Sequence, residues 1–180
     1  MTFLDRSRQR LAAWPGAPMS ALTGAVVYAL LNSTAALLAN AGVAVEAAGH
    51  LRSVVPLLPG AVAVLCVTAL YGRPPSGLGA AARLGAVAGG IGVVVGYAAA
   101  GLLLAGGFLS DPMALAEERI ATLPLDIQAD ARALITFAHS PVGRLVDAGL
   151  GLAASALGGV AVQWLMTRLR RRQVHVAAAA

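Results

Sequence analysis

Long apolar runs alternate along the chain with short polar segments. Four runs are almost continuously apolar, at residues 17–41, 53–71, 84–109 and 146–167, and none carries an arginine near its centre. A helix that crosses a bilayer needs about 20 mostly apolar residues. The strict alternation of a membrane β-barrel strand is missing from these runs. In hydrocarbon a backbone must satisfy its own hydrogen bonds, and a single segment does so only as a helix. The expected fold is all-α: one polytopic integral membrane domain over residues 1–180 with four transmembrane helices.

The polar segments carry their own patterns. In the loop over residues 110–140, Asp111-Pro112 has the form of an N-cap followed by proline at the first helical position. Met113, Ala116, Ile120 and Leu123 then share one stripe. After Pro124, Asp126 is expected to cap a second helix with Ile127, Ala131, Leu134 and Ile135 at helical spacing. An amphipathic helical hairpin is thus predicted between the third and fourth spans, and Ser140-Pro141 should start the fourth. Residues 1–16 interleave Phe3, Leu4, Leu11 and Trp14 with arginines, the pattern of a helix lying on the cytoplasmic leaflet. The segment Gly77–Ala82 is expected to be a flexible turn, and the end of the 168–180 tail to fray.

The arginines set the orientation. Arg6, Arg8 and Arg10 precede the first run, Arg73 and Arg83 lie between the second and third, and Arg168, Arg170, Arg171 and Arg172 follow the fourth. With four crossings, these nine of the thirteen arginines share one side, which the positive-inside tendency makes cytoplasmic. Three or five crossings would scatter them. The expected placement is a bacterial plasma membrane, multi-pass, with both termini in the cytoplasm. Cleavage of the first run as a signal peptide is a competing reading, since Ala39-Asn40-Ala41 resembles a peptidase site. Signal cores run about 7–15 residues, however, and this run is longer.

Composition agrees with the membrane. The chain is 58% hydrophobic before its 21 glycines are counted, whereas soluble domains reach roughly 45–50% with glycine included. Charged residues make up 12%, about half the soluble norm of roughly 25%. The net charge of +5 rests on arginines beside apolar runs, which favours anionic lipid as a partner over nucleic acid. The single cysteine, Cys66, excludes an intrachain disulfide.

Candidate residues follow from what hydrocarbon tolerates. Gly85/Gly89 and Gly92/Gly96 have the four-residue spacing that lets helix backbones approach, and Gly151, Ser155, Gly158 and Gly159 extend it to the fourth run. These serve either packing within the bundle or docking to a second membrane protein. Asn32, Asn40 and Asp147 are the intramembrane polar candidates. Arg144 and Asp147, one turn apart, are spaced to pair, and Gln163 and Trp164 belong at the inner interface. His50 and His139 share the outer side without carboxylate or cysteine at ligand spacing, so no metal site is assigned. Gly77-Leu78-Gly79 lacks the preceding strand that a dinucleotide loop requires. No catalytic set or cofactor site is assigned.

The function expected from this pattern is that of a non-enzymatic membrane subunit that packs on, assembles or regulates a larger complex. A small homo-oligomeric transporter or channel is the alternative. Lipid headgroups are expected at Arg168, Arg170, Arg171 and Arg172, and the protein partner is either another membrane protein or a second copy.

Overall fold

The computed structural model describes residues 16–41, 54–70, 72 and 74–179, with side chains as far as Arg171. All regular structure among them is helical. Helix α1 runs Ala17–Asn40; a 3-10 turn at Val55–Leu57 leads into α2, Leu58–Ala69; α3 runs Leu78–Ala105; α4 and α5 are Pro112–Ala121 and Leu125–His139; α6 runs Pro141–Ala179. The N-terminal interfacial segment, His50 and the side chain of Arg172 lie outside the described residues.

Three helices are long and apolar enough to cross a membrane: α1, α3 and the part of α6 from Pro141 to Arg171, with 24, 28 and 31 residues. The second apolar run forms a shorter helix over Val55–Ala69. At 1.5 Å per residue it spans about 22 Å, short of a hydrocarbon core of about 30 Å. Prolines mark its start: Pro56 lies in the 3-10 turn and Pro59 at the first positions of α2. Neither proline supplies an amide hydrogen, so the ordinary i→i−4 bond is missing at both positions.

The residues that face inward are small. In α1 the buried positions are Ala17, Ser20, Ala21, Gly24, Ala25, Ala29 and Ala35, a stripe that recurs every three or four residues. The large side chains of α1 point outward, as with Leu30 at 63% exposure. In α3 the buried stripe is Ala81, Leu84, Gly85, Ala88, Gly89, Gly92 and Gly96, while Val94 and Leu102 on the opposite side are 69% and 74% exposed. A chain folded in water would bury its large leucines and valines as well. Lipid reverses this, because leucine loses nothing against acyl chains and close packing becomes the source of helix association. The contiguous apolar exterior far exceeds what a soluble monomer carries.

Several boundaries differ from the sequence pattern. Helix α3 begins at Leu78, so Leu78–Ala82 are its first turns rather than a flexible turn. Alanines at three successive positions favour the helix there. Helix α5 starts at Leu125 with Pro124 at the cap position and no side-chain cap bond; Asp126 lies inside the first turn, where a carboxylate meets the positive helix end. Helix α6 continues to Ala179, so the tail backbone is helical where fraying was expected. Asp111 does cap α4, its Oδ1 accepting from the Met113 amide at 2.9 Å. At the α5–α6 corner the Gly143 amide donates to Ser140 Oγ at 3.0 Å. A Cβ at Gly143 would overlap the Phe137 carbonyl.

Candidate functional site

Helices α3 and α6 meet along one antiparallel seam, and it is built on a repeat of four residues in both. Gly159 sits against the Ala81 carbonyl, Gly85 and Gly89 against Ser155, Gly151 against Val93, and Tyr97 against Asp147. On α6 the seam is therefore Asp147, Gly151, Ser155, Gly159 and Gln163. Small residues hold its middle and polar residues its two ends.

Ser155 is the centre of the bundle. Its hydroxyl donates to the Gly85 carbonyl oxygen at 2.6 Å. Its own carbonyl oxygen lies where a Cβ on Gly60 of α2 or on Gly85 of α3 would intrude. Three helices thus converge at one fully buried residue. Gly158, its neighbour three positions on, takes the other side: a Cβ there would overlap the Leu57 carbonyl. Gly92 and Gly96 serve a different contact, the ring of Tyr28 on α1, which would lie 3.2 Å from a Cβ at either position.

All eight glycine and serine candidates lie at these internal contacts. Gly24 of α1, packed on the Pro59 carbonyl, and Gly60 of α2 are equally close and escaped the sequence pattern, because neither has a glycine partner four residues away. Tyr28 escaped it as well, since nothing in its own segment marks it as the filler of a glycine groove on α3.

The Asp147 end of the seam is polar. Tyr97 donates from its hydroxyl to Asp147 Oδ2 at 3.2 Å. The expected Arg144–Asp147 pair does not form; among the described residues the one ion pair is Arg132–Glu117 at 3.2 Å, both half exposed. Tyr97 projects from the facing helix onto Asp147 instead. Asn40 Oδ1 accepts from the Ser110 amide at 2.9 Å, tying the end of α1 to the loop between α3 and α4. Asn32 is half-buried and its amide approaches Gly96. Thr23, Thr34 and Thr68 return their hydroxyls to their own helices, to the carbonyls of Met19, Leu30 and Val64.

The opposite end is also polar and holds a cavity of about 440 Å³ whose lining includes Pro74, Pro75, Gln163, Met166, Arg170 and Arg171. Gln163 is 8% exposed. Its Nε2 donates to the Pro75 carbonyl oxygen at 2.9 Å, and its Oε1 is buried without a hydrogen-bond partner. Arg168 turns elsewhere, its guanidinium 4.1 Å above the Trp164 ring, a cation–π contact.

No cluster of three or more histidine, cysteine or acidic side chains that could hold a metal occurs among the described residues. His139 engages the Ile135 carbonyl through Nδ1 at 2.9 Å. Compared with protein-family models, curated proteins and solved structures, the chain finds no match.

Proposed function

We propose that the chain is a non-enzymatic subunit of a larger membrane complex, crossing a bacterial plasma membrane four times with both termini in the cytoplasm. In that arrangement α2 completes the second crossing together with its flanking residues, α4 and α5 lie on the outer face, and Arg168, Arg170 and Arg171 meet anionic lipid on the inner one. The observation that carries this reading is α5. It is a helix of 15 residues with no buried side chain, and Ile127, Leu134 and Phe137 stand 44%, 71% and 49% exposed. Outside a bilayer, such a face is stable only when something covers it. The glycine faces cannot serve a partner, because α1, α2, α3 and α6 use them on one another.

The test is purification in mild detergent, with and without Leu134→Glu. A co-purifying membrane protein that the wild-type chain retains, and that the still-folded variant loses, supports the reading. A monodisperse wild-type monomer without a companion refutes it.

A second reading, a small homo-oligomeric transporter or channel, draws on the Tyr97–Asp147 bond and on Asn32 beside Gly96. These polar groups lie in the outer half of the bundle, where the described part of α2 does not reach. Unchanged flux in a reconstituted Asn32→Leu, Asn40→Leu double variant would remove this reading.

A further inference from the structure

Helix α5 has one side in use and the other free. On the used side Gln128 donates from Nε2 to the Leu123 carbonyl oxygen at 2.9 Å, and Arg132 holds Glu117. At the corner with α6 the Phe137 carbonyl rests on Gly143, where no Cβ fits. These contacts fix the direction in which the opposite side faces. Along that free side Ile127, Asp130, Leu134 and Phe137 recur at spacings of three, four and three residues, and all four are exposed. At about 100° per residue they fall within an arc of about 80°. Such a stripe is the seam along which two helices pack, here with a carboxylate in the place of one apolar residue. Small side chains flank it, Ala133 on one edge and Ala131 and Ala138 on the other, so a second helix can approach closely. Asp130 has no ion-pair partner among the described residues. Asp126, beside the stripe, meets the positive end of the helix; Asp130 lies a further turn in and lacks even that.

We infer that the free side of α5 docks an amphipathic helix of another protein. That helix lays apolar side chains along Ile127, Leu134 and Phe137 and brings an arginine or lysine to Asp130. Charge selects this occupant over two others. A helix that lies on an anionic leaflet is rich in arginine and lysine beside its apolar stripe, whereas α5 carries two aspartates and a single arginine, already held by Glu117. A second copy of α5 offers the stripe no cation, because Arg132 is on the used side. Either cover would strip water from the Asp130 carboxylate without supplying a counter-charge, which is costly. A partner cation answers it, and one charged position in an apolar seam sets register and partner choice. The inference rests on the reading that a protein companion covers α5, and adds the chemistry by which that companion is recognised.

The full chain carrying Phe137→p-benzoylphenylalanine is irradiated in its native membrane, and the mass of the adduct identifies what lies on α5. The expected adduct is a second protein, cross-linked through a helix that bears an arginine or lysine among apolar residues. An adduct only with phospholipid, or only with another copy of the chain, would overturn the inference. The companion is then titrated onto the wild-type chain and its variants in detergent. Asp130→Asn should weaken binding about tenfold or more. Its melting temperature should not change, since Asp130 has no partner within the chain, so the loss cannot come from unfolding. Glu118→Gln, on α4, removes a carboxylate that is also exposed and unpaired, and should stay within about twofold. Asp130→Arg should abolish binding, and an acidic replacement of the cross-linked helix's cation should restore it. Equal losses at Glu118 and Asp130 would mean diffuse attraction and would overturn the seam. Release of the companion by Leu134→Glu but not by Asp130→Asn would overturn the charge pairing and leave the subunit reading standing. A wild-type chain with no companion would end both.

Discussion

The Ser155 hydroxyl donates to the Gly85 carbonyl oxygen at 2.6 Å, and the Ser155 carbonyl oxygen is itself enclosed by Gly60 and Gly85. One residue thereby joins α2, α3 and α6. Gly85 O already serves its own helix, so the serine is a second donor to a satisfied acceptor. Such interhelical bonds average about 0.6 kcal/mol in membranes. Ser155→Ala should therefore lower the detergent melting temperature only slightly, as read by circular dichroism.

Gly85→Ala should do far more harm. Its Cβ would stand 2.5 Å from the Ser155 carbonyl oxygen and 3.0 Å from the Ala156 Cα, both backbone atoms that cannot rotate away. Separating the helices costs about 1–3 kcal/mol in a close-packed interior. The same holds for Gly60→Ala and Gly158→Ala. A melting temperature for these three no lower than that of Ser155→Ala would contradict the seam.

Gly101 and Gly149 are the internal control. Both are helical and exposed, and a Cβ at either would meet nothing within 4 Å. Alanine is favoured over glycine in a helix interior by roughly 0.5–1 kcal/mol. Gly101→Ala and Gly149→Ala should hold or raise the melting temperature, opposite in sign to Gly85→Ala.

Tyr97 and Asp147 should be coupled. A double-mutant cycle of Tyr97→Phe and Asp147→Asn is expected to give an interaction of about 0.5–1.5 kcal/mol. The cycle of Arg144→Gln with Asp147→Asn should give near zero, because the two side chains form no ion pair. Reversal of that order would restore the pairing expected from their spacing.

Topology is accessible through the single cysteine. In a Cys66→Ser background, cysteines at Ser76 and Gln128 should react with a membrane-impermeant maleimide from opposite faces, Gln128 from outside intact cells and Ser76 only after permeabilisation. Labelling of both from one face would exclude the four-crossing arrangement.

The membrane character and the helical state were legible because hydrocarbon imposes them residue by residue. Runs such as 17–41 and 84–109 declare themselves without knowledge of a neighbour. Asp111-Pro112 and Ser140-Pro141 were legible for the same reason, since capping is a contact over two or three residues. The four-residue glycine spacing in α3 announced helix contact. It could not say that Gly85 and Gly89 face α6 while Gly92 and Gly96 face Tyr28 of α1. That division depends on how three helices surround α3, and helices of similar width leave no trace of their neighbours in one another's sequence.

What the amino-acid sequence determined by itself is therefore the local and solvent-driven part: helices, an apolar exterior, arginines gathered at particular ends, and backbones able to approach. The tertiary structure decided which backbones meet. Among the described residues it gave the second apolar run a helix of 15 residues, and it set Asp147 on Tyr97 rather than on Arg144. It also buried Gln163 beneath the arginine end with one acceptor unanswered. Each of these depends on atoms distant in the chain coming within a few ångströms, and packing over that range is set by the whole bundle at once.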